Sequence, residues 1–415
     1  ENFQEDAWKF RSCKYRNLCF NLQDKDFVIF QSKEQLRFER LATNQGNFTH
    51  SSSVFHLNLS IGGINPKWRD KSQTQLKWRP RVVKKELTGG HYEFHPNTVW
   101  VPYHSFAGYN VGHLVWDDFF PIFKLLSIFS FVDNDSVLNY QLLMSLIELK
   151  MWGTCDWNPK NTLSCAEMFP KFLPAMGLTN ETGFSATNRT IFSTADGSVP
   201  KSKYVCSPHG VAGIGTLTDH GFKLHGWNLE DYKTTHNVGR GKIFYDFRNF
   251  MLRNLDLPVR SEPLSPPYKI VFSKFSSKTK GRVKGFGKQI DILKKNLKQE
   301  YVQVDSYRMS FFSLREQARY ASEAAVFVSC VGGGAVTATF APRGSSVIMF
   351  YESSGGIRNN RDVAEPARLD WDVLNHASHL RVHWLPVETL DEKKDLNFFL
   401  ELVKHELDLI SHQTT

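Results

Sequence analysis

From Lys269 onward the sequence alternates between two periodicities, and this constrains the fold more than any other feature. "KIVFS" (269–273), "YVQVDSY" (301–307), "AAVFVSC" (324–330) and "SSVIMFY" (345–351) are short apolar runs rich in Val, Ile and Phe. Between them lie "GKQIDILKKNL" (287–297), "SLREQARYAS" (313–322) and "AVTATFAP" (335–342), which carry apolar residues at helical spacing. Strands that alternate with helices predict a parallel sheet with right-handed crossovers, the α/β class. "LDEKKDLNFFLELVKHELDLI" (390–410) predicts a final amphipathic helix.

The first half is less regular. "DFVIF" (26–30), "VFHLNLS" (54–60) and "NTVWVPYH" (97–104) read as strands, and residues 113–130 as a helix. "SVLNYQLLMSLIELKMW" (136–152) presents a second helical pattern, and "GKIFYDFRNFMLRNLDL" (241–257) a third. Residues 150–215 are rich in Gly, Pro, Thr and Asn and read as loops. "PVRSEPLSPPY" contains four prolines, which interrupt helix and sheet alike. The expected organisation is an N-terminal domain with an irregular start over 1–257, a linker over 258–268, a C-terminal α/β domain over 269–390 and a terminal helix over 391–415.

The chain has 415 residues and a formal net charge of +9. That basic balance favours anionic ligands, acidic glycans or membrane surfaces without choosing among them. Five Asn-x-Ser/Thr sequons, at Asn47, Asn58, Asn134, Asn180 and Asn188, point to the secretory pathway, the lumen of the endoplasmic reticulum or Golgi. Nucleic acid is the wrong partner for that compartment. Six cysteines agree with an oxidising lumen. Their short spacings predict disulfides Cys13–Cys19 and Cys155–Cys165, with Cys206 left unassigned and Cys330 a buried free thiol. The best apolar run, 119–132, is broken by Lys124 and is too short to cross a bilayer. The chain starts at Glu1, and the expectation is that an N-terminal signal or anchor, its link to the membrane, has been removed.

Three stretches carry chemistry. "CVGGGA" (330–335) lies between a buried strand and a helix start, where glycines admit a diphosphate to backbone N–H groups; a plain strand–helix turn is the alternative. "SKFSSKTKGRVKGFGK" (273–288) follows the first strand of that sheet, so Ser273, Lys274 and Arg282 are candidate phosphate contacts. "NVGHLVWDDFFPIF" (110–123) sets His113 and Asp117 four residues apart on one helix face, with Asp118 turned away. A carboxylate beside an imidazole suits general base chemistry. Adjacent helical acids do not suit a metal-binding DxD motif, and no cysteine or histidine spacing suggests structural zinc.

These pieces, in this order, resemble glycosyltransferase family 61. Asn110, His113, Asp117 and Pro121 fit the family's first motif, and Asp118 fits part of the family. "ASEAAVFVSCVGGGAVTATFAPRGSSVIMFY" follows its C-terminal block without a gap, and "RSCKYRNLCF" its N-terminal entry. The resemblance implies a GT-B-type arrangement, two Rossmann-like α/β domains facing a cleft. It implies inverting transfer of a sugar, xylose or N-acetylglucosamine foremost, from a UDP-sugar to a glycan or glycoprotein acceptor, with no obligatory metal. Asp117, oriented by His113, would deprotonate the acceptor. Gly332, Gly333, Gly334, Ser273, Lys274 and Arg282 would hold the diphosphate. Two positions depart from the family: Val331 replaces its His, and Met349 replaces its Glu, for which Glu352 is the nearest substitute. Those departures keep a second function open, a catalytically silent glycan-binding or scaffold protein on the same fold.

Overall fold

The computed structural model divides into two compact units, Glu1–Leu173 with Gly177–Leu217, and Pro174–Met176 with Thr218–Thr415. It describes residues 11–30, 57–59, 77–83, 92–105, 107–147, 155, 158–180, 189–193, 203–213, 238–260, 265–275, 285–351, 368–387 and 391–413.

In the first unit the strands are, in chain order, β1 (Ser12–Asn21), β2 (Asp26–Phe30), β3 (Leu57–Asn58), β4 (Lys77–Trp78), β5 (Arg81–Val83), β6 (Tyr92–Phe94), β7 (Thr98–Tyr103), β8 (Gln141–Ile147), β9 (Thr179–Asn180), β10 (Arg189–Ser193) and β11 (Tyr204–Gly213). All but β3 and β4 join one mixed sheet, ordered β5-β2-β1-β11-β7-β8-β10-β9, with β6 also on β11. β7 is parallel to β8 and β11, whereas β1 runs antiparallel to β2 and β11. Phe20, Phe27, Trp78 and Trp100 pack the core, with Phe27 meeting the other three rings at 5.0–5.9 Å between centroids.

Three expectations change here. "QLLMSLI" is the buried strand β8, not a helix, because it sits between two other strands. A continuous apolar run serves a doubly flanked strand as well as a buried helix. Residues 150–215 hold α2 (Pro159–Phe172) and the long strand β11 as well as loops; α1 (Phe120–Ile128) precedes them. Cys19 pairs with Cys206, not with Cys13. Cys13 and Cys19 lie six residues apart along β1, about 20 Å, beyond the reach of a disulfide. Cys19 and Cys206 face each other in the β1–β11 register. Cys155–Cys165 forms as expected, and Cys330 is buried and outside any disulfide.

The second unit carries the expected parallel sheet. Its strands are β12 (Tyr268–Ser273), β13 (Val302–Tyr307), β14 (Ala324–Cys330), β15 (Ser346–Tyr351) and β16 (Arg381–Pro386), ordered β13-β12-β14-β15-β16. Its helices are α3 (Gly241–Asn254), α4 (Gly287–Asn296), α5 (Leu314–Ser322), α6 (Gly333–Ala338), α7 (Arg368–His376) and α8 (Lys393–Gln413). Ser313 caps α5 reciprocally with Glu316. Although α3 precedes the proline-rich segment, it packs with this unit. Arg248 Nε donates to Phe340 O at 3.1 Å, and Arg315 Nε to Leu255 O at 2.9 Å. The boundary therefore falls near residue 217, ahead of 258–268. Among the described residues no helix is long and apolar enough to cross a membrane.

α8 covers the sheet with Phe399, Val403 and Leu407, and Glu406 ties it down. Glu406 accepts from Arg381 Nε at 2.6 Å and from Ser346 Oγ, and lies 3.0 Å from His383 Nε2. Burial alone would raise its pKa; the His383, Ser346 and Arg381 hydrogen bonds outweigh burial and hold it at about 2. A depressed carboxyl stabilises the fold above its unfolded value of 4.5, and that contribution fades as pH falls towards 2. Glu406→Gln should cost about 3 kcal/mol at pH 7. The gap from wild type should narrow at pH 3 in urea unfolding. Equal stabilities at pH 7 would contradict this account.

Candidate active site

In the first unit, β7 and β8 run parallel, and the site lies past their carboxyl ends. His104 Nδ1 lies 2.8 Å from Ile147 O at the end of β8, and Ser105 follows. Asn110 Oδ1 then accepts from Gly112 N at 3.1 Å, turning the chain into a helix. Residues His113–Phe119 form a π-helical segment before α1. Phe120 N donates to Val115 O, five residues back. Such widened turns are rare and concentrate at functional sites. With this pitch, residues four and five positions on lie to either side of His113's line, so Asp118 stays closer to the pair than α-helical geometry predicts.

His113 Nδ1 lies 2.5 Å from Asp117 Oδ2. Ser105 Oγ donates to Asp118 Oδ2. Both aspartates are buried at 2 % exposure, whereas the His113 side chain is 20 % exposed. Burial raises the Asp118 pKa well above its ordinary value. Ser105 and His113 oppose that rise, and the Asp117 charge adds to it. Burial thus disfavours the charged form of Asp118, whereas Asp117 lies against the imidazole. Ser105 is a participant that sequence reading missed; a lone serine in "HSFAGYN" gives no pattern to find. A Cβ on Gly108 would come within 2.9 Å of Ser105 Oγ and of the Phe169 ring, and within 3.3 Å of Cys155 Sγ. The Cys155–Cys165 clip and α2 thus back the segment that carries Ser105.

In the second unit, β13 lies on one side of β12 and β14 on the other. The chain reverses direction across β12, which makes the carboxyl ends of β12 and β14 a topological switch point, where open α/β sheets take ligands. Ser273 pairs in register with Ser329, so Lys274 and Cys330 are neighbours. Lys274 N donates to Tyr307 O at 2.7 Å. After β14, Gly332 has φ +106°, a conformation suited to glycine, and α6 begins at Gly333. Gly332 N donates to Asp370 Oδ2 at 3.2 Å, so a carboxylate from α7 already faces this turn. Val331 and Met349, the two expected departures, are both buried. Arg282, Glu352, Asn47 and Asn188 lie outside the described residues. Asn134 is exposed in a turn, and Asn58 and Asn180 lie in β3 and β9. Among the described residues, no three His, Cys, Asp or Glu side chains group as a metal site.

Residues 165–348 match the sequence model of the family Glycosyltransferase 61, a segment that includes the switch point and the triple glycine. The chain is also similar to a Mus musculus protein named Protein O-linked-mannose beta-1,4-N-acetylglucosaminyltransferase 2, with 21% identity over 346 residues. The similarity covers 82% of this chain and 50% of the mouse protein, so the chain spans about half the length of that relative. The His113–Asp117 pair precedes the family segment and rests on its own geometry.

Asp118 gives a test independent of activity. An acid whose folded pKa is raised lowers stability as pH climbs above its unfolded value of 3.8. Asp118→Asn keeps an acceptor for Ser105 and removes that penalty. The variant should unfold at higher temperature than wild type at pH 7 and at the same temperature near pH 3. A variant less stable than wild type at pH 7 would mean that Asp118 is ionised and needed as such.

Proposed function

We propose that the protein is an inverting glycosyltransferase, a hexosyl- or pentosyltransferase of the endoplasmic reticulum or Golgi lumen. It moves a sugar from a UDP-sugar to a hydroxyl of a glycan or glycoprotein acceptor. N-acetylglucosamine is the sugar in the mouse relative's name, and xylose is the other candidate from the family resemblance. The GT-B-type arrangement, with a cleft between donor and acceptor domains, belongs to this reading. The observation that carries the chemistry is the partly exposed His113 backed by the buried Asp117.

That difference in exposure favours an exchange of the two roles expected from the sequence. A general base must reach its proton, and His113 is the more accessible of the pair. Nδ1 is committed to Asp117, so Nε2 takes the acceptor's proton while Asp117 stabilises the imidazolium that forms. The acceptor oxygen attacks the anomeric carbon. The bond from that carbon to the donor's β-phosphate oxygen breaks on the opposite face, the configuration inverts, and UDP leaves. Lys274, with Arg282, offsets the charge on the departing diphosphate. The reading needs no obligatory metal. Asp118 and Ser105, hydrogen-bonded to each other, hold the turn that presents the dyad.

The second reading, a silent glycan-binding or scaffold protein, is favoured by Val331 and Met349 at expected donor positions and by Asp370 facing the glycine turn. A thermal-shift panel of nucleotide sugars separates the two. Stabilisation by one donor class supports the enzyme, and silence across all donors supports the scaffold. For an active protein, His113→Ala should lower turnover by roughly 100-fold or more with donor affinity unchanged, and added imidazole should restore part of the rate. Asp117→Asn should also slow turnover, without imidazole rescue. Near-normal turnover in His113→Ala beside an inactive Asp117→Asn would return the base role to Asp117.

A further inference from the structure

Beyond the phosphate contacts, a second group of side chains stands at the same edge of the second unit's sheet. Arg308 directly follows Tyr307, the register partner of Ser273, and Phe275 directly follows Lys274. The Arg308 guanidinium carbon lies 4.4 Å from the Phe311 ring centroid and 5.9 Å from that of Phe275. Phe311 is 74% exposed and Phe275 41%. Arg308 is exposed and forms no ion pair among the described residues. Phe275 also holds φ at +51°, a left-handed conformation strained for a bulky residue. Such strain gathers where ligands bind. The chain returns beneath this ring: a Cβ on Gly285 would meet it at 3.2 Å. The neighbouring Arg319–Tyr320 pair differs, because Tyr320 is stacked on Tyr307 at 4.0 Å and serves internal packing.

We infer that Phe275, Arg308 and Phe311 form the stacking platform for the donor's nucleobase. This rests on the nucleotide-sugar reading above. Strands in a sheet are about 4.8 Å apart, so the end of β13 lies roughly 10 Å from the end of β14, two strands away. A diphosphate between Lys274 and the Gly332 turn then places its nucleoside over β13. Exposed phenyl faces stack on any planar base, and a guanidinium with no acid partner donates to base carbonyls. The platform accordingly reads the base, and the switch point reads the diphosphate.

Calorimetric titration of UDP, GDP and pyrophosphate into wild type, Phe311→Ala and Phe311→Trp tests the assignment, with circular dichroism as the check on folding. Wild type should bind a nucleoside diphosphate more tightly than pyrophosphate. Phe311→Ala should weaken the nucleotide roughly 10-fold and leave pyrophosphate unchanged, and Phe311→Trp should retain the nucleotide. Equal nucleotide affinity in wild type and Phe311→Ala overturns the platform alone. Parallel loss of nucleotide and pyrophosphate overturns stacking in favour of a general disturbance of the edge. No binding of any of the three to wild type overturns the donor reading and the platform with it.

Discussion

The pairing of β14 with β12 organises the second unit. After β13 has joined one side of β12, the chain crosses back and lays β14 on the other. A reversal of this kind leaves the strand ends open to a ligand, because the two connections leave in opposite directions. Register then sets the chemistry. With Ser273 opposite Ser329, a cation at 274 lies beside the chain that becomes the glycine turn, and Tyr307 delivers Arg308 to the same edge. β14 is buried along its whole length, which fixes this register firmly.

The first unit solves a different problem, the burial of two adjacent acids. Two carboxylates that share a low-dielectric site do not both ionise readily. Here the environments separate: burial holds the Asp118 pKa well up beside Ser105, and Asp117 faces an imidazole. The π-helical turn lets both acids face inward within one segment. The surrounding Leu114, Val115, Trp116, Phe119 and Phe120 are buried and exclude water, which strengthens the His113–Asp117 contact.

Much of the second unit was legible because its strands and helices keep clean periods. The runs at 269–273, 324–330 and 345–351 became β12, β14 and β15, and the glycine turn fell between strand and helix. α7 and β16 escaped notice. The first unit was harder, since β8 is apolar on both faces and mimics a helix, and β11 carries Ser, Pro, His and Gly within a strand. The Cys19–Cys206 link spans 187 residues, and no local spacing announces a contact made by sheet register. His113 and Asp117 were visible as a pair from the four-residue interval. Which of them is accessible depends on burial, which spacing does not encode.

The central claim is that the carboxyl ends of β12 and β14 hold a nucleoside diphosphate. Hydrogen exchange followed by mass spectrometry, with and without saturating UDP, addresses it on the intact chain. The account predicts slowed exchange in peptides covering 272–275 and 331–336, with the β10 and α8 peptides unchanged. Binding of UDP with protection confined to other segments would contradict it.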